Sequence, residues 1–138
     1  MHPFRAAVER GDFDALPALF AEDVVFHSPI AHMPYDGRET VGAILHAVSN
    51  VFEDLTYERE IGAEDAADRA LIFNARVGDL AINGCDFLHI RDDGLIDEFT
   101  VMLRPLKAVN AFAEKMGIEF AAAMQQMADA HAAASSEQ

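Results

Sequence analysis

The spacing of apolar residues changes twice along this chain. They recur every three or four positions up to about Phe52, alternate from Leu55 to Leu103, and return to the longer spacing after Pro105. Pro3 to Arg10 reads as a short helix stopped by Gly11. Asp12 can cap a second helix through about Ala21, carrying Phe13, Leu16, Leu19 and Phe20 and bent at Pro17. Val24 to Ser28 is a short strand closed by Pro29, and Ile30 to Tyr35 is a loop. Asp36 and Glu39 form a capping box for a helix whose apolar face is Val41, Ile44, Leu45, Val48 and Phe52. Strand patterns follow: Leu55, Tyr57, Arg59 and Ile61; then Leu71, Phe73, Ala75 and Val77; then Ile82 to Ile90. The DDG turn leads to a last strand with Phe99, Val101 and Leu103. Beyond Pro105, Leu106, Val109, Ala113, Met116, Phe120, Met124 and Met127 mark a long helix, or two stacked pieces joined near Gly117.

Helices first and consecutive hairpin strands later predict an α+β fold with a curved antiparallel sheet, not alternating βαβ units. Such a sheet closing around the N-terminal helices makes a cone with an apolar interior, whose mouth suits a small ligand. The whole chain, 1–138, reads as a single domain, with a core of about 4–105 and a C-terminal helical extension of about 106–132.

One residue breaks the pattern. Ile82, Gly84, Asp86, Leu88 and Ile90 share a strand face, so Asp86 stands among core positions. A buried, unpartnered charge costs several kcal/mol, and the position needs a structural or chemical reason. Burial favours the neutral carboxyl, and groups perturbed in this way cluster at functional sites.

Charge narrows the choice of partner. The formal net charge of -14 disfavours nucleic acid and anionic membrane surfaces. No apolar run reaches the length of a membrane span, and MHPFRAAVERGDFD lacks a signal core, so a cytoplasmic location is expected. The single cysteine, Cys85, fits a reducing compartment and faces away from Asp86. His27, His32 and Asp86 are the residues a metal site would use, but no HExxH, HxH or CxxC spacing is present, so no metal is expected. There is no phosphate loop, dinucleotide fingerprint or GxSxG elbow, and no cofactor is expected.

GDFDALPALFAEDVVFHSP, PYDGRETVGAIL and NGCDFLHIRDDGLIDEFTVMLRP resemble the nuclear transport factor 2-like superfamily, and within it the SnoaL-like proteins near the ketosteroid isomerases and polyketide cyclases. The resemblance covers Phe4 to about Pro105. It implies a cone-shaped, cystatin-like fold, a deep apolar pocket and a homodimer. Of the isomerase set, the strand-end base falls on Ser28 and the helix tyrosine on Phe4, so both are replaced, whereas the strand aspartate falls on Asp86. The arginine that limonene epoxide hydrolases need falls on Gly84. SnoaL-type cyclases rely mainly on one pocket aspartate as acid and base, helped by histidines, and Asp86 fits that minimal pattern.

The candidate catalytic residues are therefore Asp86, His32 in the loop at the cone mouth, and Tyr57, which can donate a hydrogen bond from another wall. The candidate ligand-binding residues are Ser28, Phe26, Phe73, Leu88, Phe99 and Val101. His27 points outward or packs under a helix, His46 lies off its helix stripe, and His89 faces away from Asp86. Two readings stand. One is an enzyme of acid–base isomerisation, cyclisation or dehydration on an apolar carbonyl-bearing ligand. The other is a non-catalytic ligand-binding or dimerisation module with a residual pocket.

An outward stripe of Cys85, Phe87 and His89, then Ile96, Thr100 and Met102, is too apolar for a solvated sheet face. Isologous packing of two sheets would cover it, so sedimentation at micromolar concentration is expected to give a dimer. A monomer would refute that expectation.

Overall fold

Four strands from the alternating half of the chain and two from before it build one sheet, and the helices pack on it. The computed structural model describes residues 1–136, apart from the side chains of 123, 124, 127, 131 and 133–136. Helix α1 (Pro3–Glu9) begins at a His2 cap, where the ring Nδ1 accepts from the Phe4 N–H, and Gly11 at φ 74° ends that segment. Strands β1 (Phe20–His27) and β2 (Tyr35–Asp36) precede helix α2 (Arg38–Ser49). Strands β3 (Glu53–Ile61), β4 (Asp68–Val77), β5 (Leu80–Ile90) and β6 (Ile96–Arg104) then lead to helix α3 (Leu106–Ser136). The sheet order is β2-β1-β6-β5-β4-β3. Among the described strands only β1 and β6 pair in parallel; the other neighbours are antiparallel.

Four local expectations are corrected. The second helix is absent: Phe13–Ala15 and Pro17–Leu19 are separate 3-10 turns, and the chain is already extended at Phe20. Pro17 has no N–H to continue a helix and instead opens the second turn. The capping box is not formed either. Gly37, at φ 98°, is the cap of α2, and Asp36 pairs with Val25 in the sheet.

Two β-bulges overturn the other pair. Tyr57 faces Phe73 while Arg59 faces Ile72, so β3 carries one extra residue there. The inward phase passes from Tyr57 to Glu60, leaving Arg59 and Ile61 outside. On β6, His89 faces Glu98 while Ile90 faces Ile96, and this shift buries Ile96 completely. The outer face thus keeps exposed Phe87 and Met102 and the half-buried Cys85, but not Ile96.

Phe4, Phe20, Phe26 and Phe99 make the aromatic centre of the core, with neighbouring ring centroids 5.2–6.2 Å apart. α3 is one continuous helix through Gly117. Its buried face is Ala108, Phe112 and Met116, spaced by four, and Leu106 is exposed. Met124 and Met127 lie outside the described side chains. Phe112 stacks on Phe52 at 4.9 Å and 18°, tying α3 to the end of α2. Phe112→Ala is expected to cost about 3–5 kcal/mol in denaturant unfolding. A loss within error would mean that α3 is not part of the cooperative fold.

Candidate functional site

Asp86 sits in the middle of β5, directly opposite Leu71 on one side and Val101 on the other. The strand period aims its carboxyl into the cone, and only 5% of the residue is exposed. Tyr57 reaches it from β3, two strands away, donating its O–H to Oδ2 at 2.7 Å. Among the described residues no other hydrogen bond reaches the carboxylate, and Oδ1 is not sealed off: it lies at the surface of a cleft. Burial pushes the Asp86 pKa up to about 7, while the Tyr57 hydrogen bond pulls in the opposite direction. The same burial, with Asp86 beside it, drives the Tyr57 pKa far upward, so the phenol stays a donor.

Tyr57 is itself held from behind. The Arg5 guanidinium lies 5.9 Å from the ring centroid and donates to the Tyr57 carbonyl at 3.3 Å. Past the β3 bulge, Glu60 accepts from Arg69 and from the His2 N–H. Burial raises the Glu60 pKa, but these bonds outweigh it and leave the carboxyl below its ordinary value.

The cleft lies between the sheet, α2 and α3. It is a narrow slot with a cavity volume of about 50 Å³. Six aromatic side chains line it: Phe13, Phe26, Phe52, Tyr57, Phe73 and Phe112. Among the described residues Asp86 is the only carboxylate on its walls, and no cationic side chain lines it. Ser28 is the remaining side chain with a hydroxyl there; its Oγ accepts from the Ile30 N–H at 3.2 Å.

Of the residues singled out from sequence, Asp86, Tyr57, Ser28, Phe26, Phe73 and Val101 are brought to this cleft. Leu88 and Phe99 are not: both are buried in the core beyond it. His32 is exposed in its loop and does not line the cleft. His27 approaches Glu98 at 4.0 Å, His46 approaches Asp14 at 3.9 Å, and His89 meets Asp97 at 2.6 Å, all away from Asp86. No cluster of metal-ligating side chains occurs among the described residues. Sequence reasoning missed the contribution of α3. Met116 stood in the predicted stripe and Phe112 did not, and only the docking of α3 shows that both wall the cleft.

The SnoaL-like domain family matches residues 2–99. The chain belongs to the SnoaL-like family. It is 39% identical to a steroid delta-isomerase from Pseudomonas aeruginosa, with 88% of this chain and 89% of that one covered and a TM-score of 0.82. A cystatin-like protein of Silicibacter pomeroyi is 37% identical over 86% of this chain and 85% of its own, with a TM-score of 0.79. A nuclear transport factor 2-like protein of Mesorhizobium loti, 18% identical, shares the fold over 74% of this chain and 85% of its own at a TM-score of 0.63. No curated protein matches the chain. No described helix of this SnoaL-like protein is long and apolar enough to cross a membrane.

The raised Asp86 pKa has a consequence for stability. The native protein holds this proton up to about pH 7, whereas the unfolded chain releases it near 3.8. Asp86 therefore costs stability progressively as pH rises between those values. At about 1.4 kcal/mol per pKa unit, the cost at pH 8 is on the order of 4 kcal/mol. Asp86→Asn should match the parent near pH 4 and exceed it increasingly toward pH 8 in thermal melts. A constant difference across that range would show an ordinary carboxylate.

Proposed function

We propose that Asp86 moves a proton within an apolar, carbonyl-bearing small molecule held in the cleft, in a cofactor-independent isomerisation, cyclisation or dehydration. One observation carries this reading: a buried carboxyl poised near neutrality, with one oxygen fixed by Tyr57 and the other open to an apolar cleft. Ionised Asp86 takes a proton from the carbon beside the ligand carbonyl through Oδ1. The same oxygen returns it elsewhere on the ligand, so acid and base are one group. Tyr57 holds Oδ2, orients the carboxylate and supports its charged form. The Ser28 hydroxyl, on the cleft wall, is available to donate to the ligand oxygen.

The relative from Pseudomonas aeruginosa carries the name of a steroid isomerase, and that name supports carbonyl-directed proton transfer. The route differs from the ketosteroid isomerase pattern, because Ser28 and Phe4 replace two of its three groups. A homodimer joined through the outer sheet face, covering Phe87 and Met102, is the form in which this activity is proposed. The narrowness of the slot between Phe52, Phe73 and Phe112 favours a second reading, a binding module without turnover.

Asp86→Asn separates the two readings. Against a panel of unsaturated ketones it should fold, retain binding and lose turnover by about 10²–10⁴-fold. The parent's kcat/KM should rise with pH through an inflection near 7, since the base must be ionised. Tyr57→Phe removes the bond that favours the charged form and should move that inflection upward. Undiminished turnover in Asp86→Asn would reject the catalytic role.

A further inference from the structure

Gly84 precedes Asp86 by two residues on the same strand face, and space, not backbone conformation, requires a glycine there. Its φ lies outside the left-handed region, so any residue could adopt the backbone. A Cβ at this position would instead lie 2.3 Å from Phe73 Cζ, 2.7 Å from Phe73 Cε1 and 2.8 Å from Leu103 Cδ2. Phe73 stands directly opposite Gly84 in the ladder between β4 and β5, and its ring lies across the bare backbone. Real side chains do not tolerate such distances, and the interior is close-packed, so the ring occupies the place of the missing side chain.

Phe73 is also a wall of the cleft, with its centroid 5.6 Å from Phe52 and 5.9 Å from Tyr57. Those rings hold its flanks, the sheet lies behind it, and the free volume beside it is the cleft. We propose that Phe73, folded down onto Gly84, sets the depth of the cleft beside Asp86 and so selects ligands by size. A side chain at 84 would lift the ring into the slot and fill the space next to the carboxylate. A smaller side chain at 73 would extend the slot over Gly84 and admit a longer ligand. This selector rests on the cleft being the ligand site, but not on proton transfer within it.

Fluorescence titration of the full-length chain tests the selector with two neutral planar phenols, two-ring 2-naphthol and three-ring 9-phenanthrol, each offering one O–H to Asp86 Oδ1. Gly84→Ala should weaken 2-naphthol binding by about tenfold or more, as expected when a pocket loses room for its ligand. Adding Phe73→Leu to Gly84→Ala should restore binding toward the parent value, because it removes the two nearest contacts and leaves only Leu103 Cδ2, the far end of a flexible side chain, to shift. Phe73→Leu alone should shift preference toward 9-phenanthrol, and this variant keeps the test decisive if Gly84→Ala does not fold. Tight 2-naphthol binding that ignores both substitutions would overturn the selector while leaving the cleft as the ligand site. If neither phenol binds the parent or Phe73→Leu, the cleft itself is refuted as the ligand site, and the selector with it.

Discussion

Tyr57 donates one hydrogen bond to Asp86, and much of the surrounding architecture serves to make that bond possible in an apolar interior. Without it, the carboxyl would face only apolar walls, and its charged form would have no support. The bond spans two strands, so it requires β3, β4 and β5 in a fixed register, with Tyr57 opposite Phe73 and Asp86 opposite Leu71. It also needs Tyr57 held against the sheet, which Arg5 does from α1. The N-terminal helix is therefore part of the site through its grip on the donor, although Val8 is its only residue on the cleft wall.

Asp86 was legible in the sequence because a period of two is strict, and a carboxylate at an inward position stands out against its neighbours. Tyr57 was legible for the same reason, since it lies before the bulge. Beyond the bulge, parity failed. Arg59 and Ile61 were assigned to the inner face by counting, yet one extra residue in β3 exchanged them for Glu60. The same failure placed Ile96 outside when it is fully buried. A bulge is set by pairing with a distant strand, so local spacing carries little trace of it. His32, Leu88 and Phe99 lie off the cleft for a different reason. Their inclusion assumed where the cavity ends, and that is fixed by the packing of α2, α3 and the aromatic core.

The same bulge in β3 also organises an ionic cluster beside α1. It turns Glu60 toward Arg69, and the pair takes in the His2 N–H and approaches Arg5 at 3.8 Å. Replacing such a buried ionic cluster by apolar residues is often neutral or stabilising in proteins, so raw stability does not explain its presence. Its position suggests geometry as the reason. It anchors the start of α1 to β3 and β4, the two strands that carry Tyr57 and the ring beneath it. The ionic cluster and the Tyr57–Asp86 bond thus share Arg5, which touches both Glu60 and the Tyr57 carbonyl.

Charge distribution then restricts what the cleft will hold. The chain carries a formal net charge of -14, and the slot adds a carboxylate and six aromatic faces without a balancing cation. Anionic ligands meet repulsion on approach and find no described cation inside. A neutral ligand meets neither penalty and can form a hydrogen bond with Asp86 Oδ1 in either protonation state, as donor to the carboxylate or as acceptor from the acid. With its pKa near 7, Asp86 is populated in both states at neutral pH, so the same site can accept and return a proton without a second titrating side chain. Under the proposed function, that property offsets the serine, Ser28, that stands where the resemblance places the isomerase strand-end base. Under that same function, the SnoaL-like scaffold keeps a carboxylate in its cleft, and the environment around it, more than additional catalytic groups, supplies the acid–base range.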